Sequence, residues 1–206
     1  MPFTSSRCRA VVSCVAAVAA SAACSGPAFA DEGATAGCPA VPTMQAFSPW
    51  QDFADYFLAP DGGFEADGAG WDLTGGAAAV EGNETYAVGG ADDHRSLSLP
   101  AHSSATMARM CIGIEHRTMR FFVRGTGSGV VRVDAVYAKG TDREKSVRLA
   151  SVAAGESWAP SPVVPLIVNE LAPDTGNALE VSLRFTARGD GSWQIDDVYV
   201  DPYRKS

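Results

Sequence analysis

The sequence predicts an all-β fold, a two-sheet antiparallel jelly-roll β-sandwich with a short N-terminal extension. Several segments alternate apolar and polar side chains, which is the period-two pattern of half-buried strands. Clusters of glycine, proline, asparagine and aspartate separate these segments at short intervals. Many short strands between such turns are typical of a sandwich or a jelly roll, and not of alternating strands and helices.

Residues 1–30 have the features of a secretory signal peptide and are not expected to be part of the fold. Arg7 and Arg9 form a basic start, and residues 10–23 are uncharged and rich in alanine and valine. Residues 28–30, Ala-Phe-Ala, match a small-x-small cleavage site. The apolar run is too short to anchor the chain in a bilayer.

Lipidation and membrane insertion are the alternatives to free secretion. A lipoprotein would be modified at Cys24, but Ser21 stands where leucine is usual in such signals. No other apolar run approaches the length of a membrane span. We therefore expect a product without a transmembrane segment, secreted to the extracellular space or associated with the cell envelope through partners.

The acidic charge balance argues against nucleic acid as a partner. The formal net charge of −8 includes Arg7 and Arg9, so removal of the two signal-segment arginines leaves about −10. A protein surface of that sign repels phosphate backbones and anionic lipid.

The processed chain is predicted to begin with an extension over residues 31–55, followed by the domain over residues 56–206. The first part of the extension is rich in alanine, glycine and proline. Trp50, Phe53 and Phe57 then recur at helical spacing, which predicts one or two helical turns that cap an end of the core.

Three segments of the domain show the strand pattern most clearly, residues 118–124, 130–137 and 179–185. Each places apolar side chains on one face and mostly polar ones on the other. The side chains predicted to face the core are Met119, Phe121, Val123, Val131, Val133, Ala135, Leu179, Val181, Leu183 and Phe185. A helix is expected only as a short crossover over residues 165–171.

Two cysteines, Cys38 and Cys111, lie outside the signal segment. An exported protein with two cysteines most simply pairs them. The bridge would tie the extension to a strand in the middle of the chain and would contribute roughly 4 kcal/mol in the chain-entropy model. The alternative, a catalytic or metal-binding pair, has no histidine spacing to support it.

Three motifs, spread in order over about residues 56–203, together resemble carbohydrate-binding modules attached to xylanases and related glycosidases. They are the opening Asp61-Gly-Gly-Phe-Glu65 with Gly70-Trp71, the strand His94-Arg-Ser-Leu-Ser-Leu99, and the closing Ser192-Trp-Gln-Ile-Asp-Asp-Val-Tyr-Val200. The resemblance implies a galactose-binding-like jelly roll whose first and last strands are neighbours. The closing segment also resembles actinobacterial exported proteins of unknown function.

The resemblance further implies a structural Ca²⁺, because an opening and a closing acid often ligate one in those modules. Carried over by position, the ligands would be Glu65 and Asp197, with Asp196 as a substitute. Consecutive acids on a strand cannot both face the core, so one of them is expected to reach water, a basic partner or a cation. The open alternative is that these acids are solvated or paired with arginine.

The modules bind sugar on a concave sheet face or at edge loops, where aromatic rings stack on the sugar. The candidate platforms in this chain are Phe122 and Trp158. Candidate hydrogen-bonding partners on the polar strand faces are Arg120, Arg124, Arg132 and Arg184. The alternative for these arginines is internal ion pairing with acids such as Asp134 and Glu180.

Catalysis has little support in the sequence. The three histidines show no metal-binding spacing, and no nucleophile or phosphate-binding motif is present. The acids Asp92 and Asp93 precede His94 in a glycine-rich stretch, where a solvated turn explains them.

The expected function is therefore a secreted, non-catalytic binding domain of the carbohydrate-binding kind, with a glycan or a cell-envelope component as partner. The alternative is an envelope structural or protein-interaction domain without sugar affinity. A glycan hydrolase is the least favoured reading.

Overall fold

The computed structural model describes residues 38–166 and 178–203, which form thirteen strands and one 3-10 turn. The signal segment, residues 31–37 and most of the expected crossover helix (residues 167–171) lie outside the described residues. Within those two ranges, no helix is long and apolar enough to cross a membrane.

The first of two antiparallel sheets has seven strands in the order β10-β7-β13-β4-β3, with β1 added beside β13 and β11 beside β7. Its strands are β1 (Phe57–Leu58), β3 (Ala78–Glu81), β4 (Arg95–Leu99), β7 (Thr118–Thr126), β10 (Ala159–Pro160), β11 (Val164–Pro165) and β13 (Ser192–Asp201).

The second sheet has six strands in the order β2-β5-β12-β8-β9, with β6 added beside β12. Its strands are β2 (Asp72–Thr74), β5 (Ser104–Thr106), β6 (Met110–Gly113), β8 (Val130–Tyr137), β9 (Lys145–Val152) and β12 (Ala178–Arg188). Two antiparallel sheets of this kind confirm the predicted jelly-roll sandwich.

The first and last strands are neighbours, as the resemblance implies. Phe57 of β1 lies opposite Val200 of β13. The turn after β1 stays attached to β13, because the amide of Val198 donates to the carbonyl of Gly62 over 3.0 Å. A Cβ at Gly62 would lie 2.8 Å from the Val198 oxygen, so this close approach requires glycine.

One hydrophobic core fills the space between the sheets. The side chains predicted to face inward from the three alternating segments all contribute to it, with Leu179 partly buried at its margin. Phe64 and Trp71 of the opening motif pack together in the same core, 5.0 Å apart at their ring centroids. The period-two pattern therefore assigned the inner faces of both sheets correctly.

The predicted disulfide joins Cys38 to Cys111, with the two Cα atoms 5.5 Å apart. Cys111 lies on β6, so the bridge fixes the start of the described extension to the six-stranded sheet.

The extension differs from its prediction, since its helical content is a single 3-10 turn at Ser48–Trp50. Phe57 belongs to β1, and Phe53 is 66% exposed. Backbone hydrogen bonds in both directions between Met44 and Tyr56, each 2.8 Å long, hold the segment as a loop that returns on itself. The extension therefore covers a sheet face instead of capping an end of the core.

The covered face is the outer face of the seven-stranded sheet, where a second hydrophobic cluster forms. We call this cluster the aromatic layer. It consists of Ala46 and Phe47 from the extension, Tyr56 at the start of the domain, Phe122 of β7, Tyr199 of β13, and Trp158 just before β10. Phe47 is fully buried at its centre and stacks on Phe122 at 5.3 Å.

Candidate functional site

A break in the pairing of β13 determines where the two consecutive acids point. The register with β7 shifts between Asp196 and Tyr199, and Asp197 has a left-handed backbone with φ of 50°. Such a bulge re-aims side chains that would otherwise alternate between the two faces. Both acids are consequently buried, Asp196 fully and Asp197 with 1% exposed, so neither reaches water, which was one of the three outcomes expected for them.

Asp197 meets two further buried acids from the loop between β3 and β4. Glu84, Asp93 and Asp197 each bring a carboxylate oxygen to within 4.8 Å of the others. We call these three residues the acidic cluster. The expectation that Asp93 lies in a solvated turn is wrong, because only 7% of Asp93 is exposed.

The carboxylate oxygens of this site are of two kinds, those that accept hydrogen bonds and those that do not. Asp196 accepts hydrogen bonds from the amides of Glu84 and Asp197, both 2.8 Å long, and Glu84 accepts from the amides of Tyr86 and Val88. Both oxygens of Asp93 and both of Asp197 are buried without a hydrogen bond. Asp196 therefore positions the loop, while Asp93 and Asp197 present free oxygens.

The electrostatics of the cluster are unfavourable to three negative charges. Burial, together with the neighbouring carboxylates, raises the pKa of Asp197 to about 8. The same two causes raise the pKa of Asp93 to about 6. Among the described residues, no arginine, lysine or histidine forms an ion pair with any member of the cluster.

These residues fit a hard divalent cation. Calcium takes oxygen ligands, and buried carboxylates without cationic partners are the donors it prefers. The backbone also approaches closely, since a Cβ at Gly89 would lie 2.6 Å from an Asp93 oxygen and one at Gly63 would lie 3.4 Å from an Asp197 oxygen. Gly89 therefore leaves room that a Cβ would take from Asp93, whereas 3.4 Å at Gly63 is an ordinary contact distance.

The ligands nominated from the resemblance occupy three different roles. Asp197 belongs to the cluster, whereas Asp196 uses its oxygens on backbone amides. Glu65 lies beside Asp93, but its Oε1 accepts the amides of His94 and Arg95 over 2.8 and 2.7 Å. Glu84 and Asp93 had no matching motif, and only their buried position identifies them.

Phe122 and Trp158 cannot serve as sugar platforms, and the prediction that they are exposed is wrong. Phe122 is 0% exposed and Trp158 5%, because both lie in the aromatic layer under the extension. Phe122 does point away from the main core, but the outer face of its strand is covered.

Two of the four candidate arginines lie on the outer face of the seven-stranded sheet, where Arg120 is covered and Arg124 lines a groove of about 280 Å³. Arg120 is buried, where it contacts the ring of Phe47 at 4.5 Å and pairs with Asp52 at 2.8 Å. Arg124 lies over the ring of Trp158 at 5.0 Å and donates to Gln194 over 2.6 Å. Their contacts are therefore internal, as in the alternative reading of the polar strand faces.

The other two, Arg132 and Arg184, lie on the outer face of the six-stranded sheet, which carries a groove of about 440 Å³. The groove is lined by Asp72, Thr74, Ser104, Thr106, Arg132, Lys139, Gly140, Glu144, Arg184, Thr186 and Arg188. Every side chain in this lining is polar or charged, and none is aromatic.

Strand pairing arranges the groove side chains in rows across the sheet. One row runs across β2, β5, β12, β8 and β9 through Asp72, Thr106, Arg184, Asp134 and Arg148. The next row runs through Thr74, Ser104, Thr186, Arg132 and Ser151. Five strands at the usual spacing give the rows a span of about 19 Å.

Ion pairs hold the charged side chains of the groove in place. Arg184 pairs with Glu144 at 2.8 Å, and Lys139 pairs with Asp72 at 2.9 Å. Arg132 pairs with Asp134 at 2.6 Å, which is one of the internal pairs anticipated from the sequence. The groove is therefore a fixed array of donors and acceptors.

Exposed rings occur elsewhere, on the outer side of the aromatic layer. Tyr86 is 45% exposed and contacts Trp50 edge-to-face at 4.8 Å. Its hydroxyl donates to the carbonyl of Trp158 over 2.8 Å, which fixes the ring. No sequence pattern predicts this pair, because the extension and the β3–β4 loop meet only in the folded chain.

No family model matches the chain, and no curated protein matches it. Several carbohydrate-binding modules are among the solved structures similar to it. The CBM22-1–GH10 modules of the Clostridium thermocellum xylanase 10B, solved with xylohexaose, match with 17% identity over 69% of this chain and 28% of that one, with a TM-score of 0.46.

Two isolated modules give similar values. TmCBM61, solved with β-1,4-galactotriose, matches with 15% identity over 69% of this chain and 96% of that one, with a TM-score of 0.40. The CBM22-1 xylan-binding domain of Paenibacillus barcinonensis Xyn10C matches with 11% identity over 66% and 88%, with a TM-score of 0.44. The sugars belong to those proteins, and the likeness itself does not identify a ligand for this chain.

Proposed function

We propose that this protein is a secreted, non-catalytic carbohydrate-binding domain that holds a glycan in the groove of its six-stranded sheet. The observation that carries the proposal is the groove itself, with its rows of hydroxyl, guanidinium, ammonium and carboxylate groups on a rigid sheet. Sugar hydroxyls both donate and accept hydrogen bonds, so a sugar requires such a mixed lining.

A binding role agrees better with the groove carboxylates than a hydrolytic one. A glycosidase needs one carboxylic acid with a raised pKa as its general acid. The amide of Gly140 and the guanidinium of Arg184 instead lower the pKa of Glu144. Asp72 is held in an ion pair with Lys139 at 2.9 Å.

Glycan binding is tested with the secreted protein on a glycan array, followed by calorimetry on the hits. Thr186→Val and Arg184→Gln change the groove without touching the core, and we expect each to weaken binding about tenfold or more. Arg117→Gln is the matched control, since Arg117 is exposed and contacts the ring of Tyr203 away from the groove. An array without any hit, or hits unaffected by the groove variants, would contradict the proposal.

We further propose that the acidic cluster binds a structural Ca²⁺. Asp93, Asp197 and Glu84 would supply carboxylate oxygens, and Asp196 would hold the Glu84 backbone in place. Terbium luminescence and calorimetry with CaCl₂ measure binding directly. We expect one ion per chain and at least a tenfold loss of affinity in Asp93→Asn, whereas Asp92→Asn, at an exposed neighbour, should bind as the wild type does.

An envelope protein-interaction domain is the second candidate function, and the exposed rings favour it. Phe53 is exposed in the extension and Tyr86 is exposed beside the aromatic layer, while the groove has no ring for a sugar to stack on. Cross-linking in cells with a photoreactive residue at position 53 would identify a partner. A specific partner lost in Tyr86→Ala, combined with an empty glycan array, would favour this function over the first.

A further inference from the structure

The groove is locally cationic on an acidic protein. Its lining contains four cations, Arg132, Lys139, Arg184 and Arg188, and two carboxylates, Asp72 and Glu144. The whole chain has a formal net charge of −8. A polyanion would therefore be repelled by most of the surface and admitted in the groove, because exposed charges act only over about 8–10 Å at physiological salt.

The three arginines form a zigzag along two paired strands. In the register of β12 with β8, Arg184 lies opposite Asp134, and Arg188 lies opposite Val130. Arg132, between those two positions on β8, is therefore a diagonal neighbour of both Arg184 and Arg188. Diagonal neighbours on one sheet face lie about 7–8 Å apart. The three arginine positions thus recur at a regular interval along the two strands.

Within residues 38–166 and 178–203, much of their hydrogen-bonding capacity is unused. A guanidinium has five N–H donors in a planar fork that matches a carboxylate. Arg184 donates from Nε to Thr106 over 3.0 Å and from one terminal nitrogen to Glu144, and Arg132 donates from Nε to Asp134. In the described part of the chain, Arg188 forms no ion pair.

We infer that the groove selects an acidic glycan, a polysaccharide whose repeating sugars carry carboxylates. This inference rests on the proposed glycan binding and adds the chemical class of the ligand. The arginine guanidinium groups bind the carboxylates of the glycan, and the neighbouring hydroxyls of Thr74, Ser104 and Thr186 form hydrogen bonds with the sugar hydroxyls.

The test compares matched polymers that differ only in charge. Polygalacturonate, alginate and hyaluronate are each offered to the secreted protein beside their methyl-esterified forms, and affinities are measured by calorimetry at 150 mM NaCl. We expect at least one acidic polymer to bind about tenfold or more tightly than its ester. Arg188→Gln should lose most of that preference without loss of thermal stability, while Arg117→Gln should keep it.

Each other outcome has a defined meaning. Equal binding of acid and ester that still depends on Arg184 would overturn this inference and leave the proposed glycan binding intact. Equally tight binding of dextran sulfate would also overturn it, because it would show ion exchange without recognition of carboxylates. If no glycan binds, acidic or neutral, both proposals fail.

Discussion

Replacing Phe47 by alanine tests whether the extension is an integral part of the fold. Phe47 is fully buried in the aromatic layer, with ring centroids 5.0 Å from Tyr56 and 5.3 Å from Phe122. The guanidinium of Arg120 also lies 4.5 Å from its ring. Truncating a buried phenylalanine costs about 3–5 kcal/mol. We expect the upper half of that range, because the loss also leaves a buried cation without its aromatic contact.

The assay is reversible urea denaturation, supported by thermal unfolding. A loss of about 4 kcal/mol is a large fraction of the total stability of a domain, and for a chain of this size it lowers the melting temperature by roughly 8–16 °C. Phe53→Ala is the matched control in the same segment, since Phe53 is 66% exposed and surface changes usually stay within about 0.5 kcal/mol. A loss below about 1 kcal/mol in Phe47→Ala would refute the assignment of the aromatic layer as a second core.

Three further predictions concern the cation site and the disulfide. With a chelator present, the folded state should lose stability as the pH rises from 5 to 9. The reason is that the pKa values of Asp93 and Asp197 in the folded state, about 6 and about 8, lie above the ordinary 3.8. The midpoints of urea unfolding should show this loss, and CaCl₂ should abolish it. Gly89→Ala should weaken terbium binding about tenfold or more, since the new Cβ would lie 2.6 Å from Asp93, whereas Gly155→Ala, with open space around it, should not. Cys38→Ser removes a disulfide whose cysteines are 73 residues apart, and it should lower the free energy of unfolding in urea by about 4 kcal/mol. Adding a reducing agent to this variant should cause no further loss.

The inner faces of the strands could be predicted from the sequence because the signal is local. The alternation of apolar and polar residues within one strand shows which side chains share a face. One apolar face per strand is enough to identify the core of the sandwich. The same pattern cannot state what lies on the other face. Phe122 was correctly placed outside the main core, but whether it meets water depends on Phe47, which is far away in the sequence.

The acidic cluster shows the same limit over a longer distance. The amide of Glu84 and the carboxylate of Asp196 are hydrogen-bonded across 112 residues of chain. The bulge that turns Asp197 inward depends on a left-handed backbone at this non-glycine residue. No local sequence pattern predicts that conformation. The resemblance supplied Asp197 because its motif preserves the position of the closing acid. It could not supply Asp93, whose glycine-rich surroundings are those of an ordinary turn.

The contrast between Arg120 and Arg184 shows why the function is assigned to one sheet. Both arginines point outward from central strands, so the sequence treats them alike. The extension supplies Arg120 with a ring and a carboxylate, and the guanidinium also donates to the carbonyl of Ser161, so its donors are used internally. Arg184 has only Thr106 and Glu144 at the edge of an open groove. An arginine whose donors are all bonded within the protein stabilises the fold, whereas an arginine that is held in place with unused donors can recognise a ligand. Among the described residues, Arg184 on the six-stranded sheet is an arginine of the second kind.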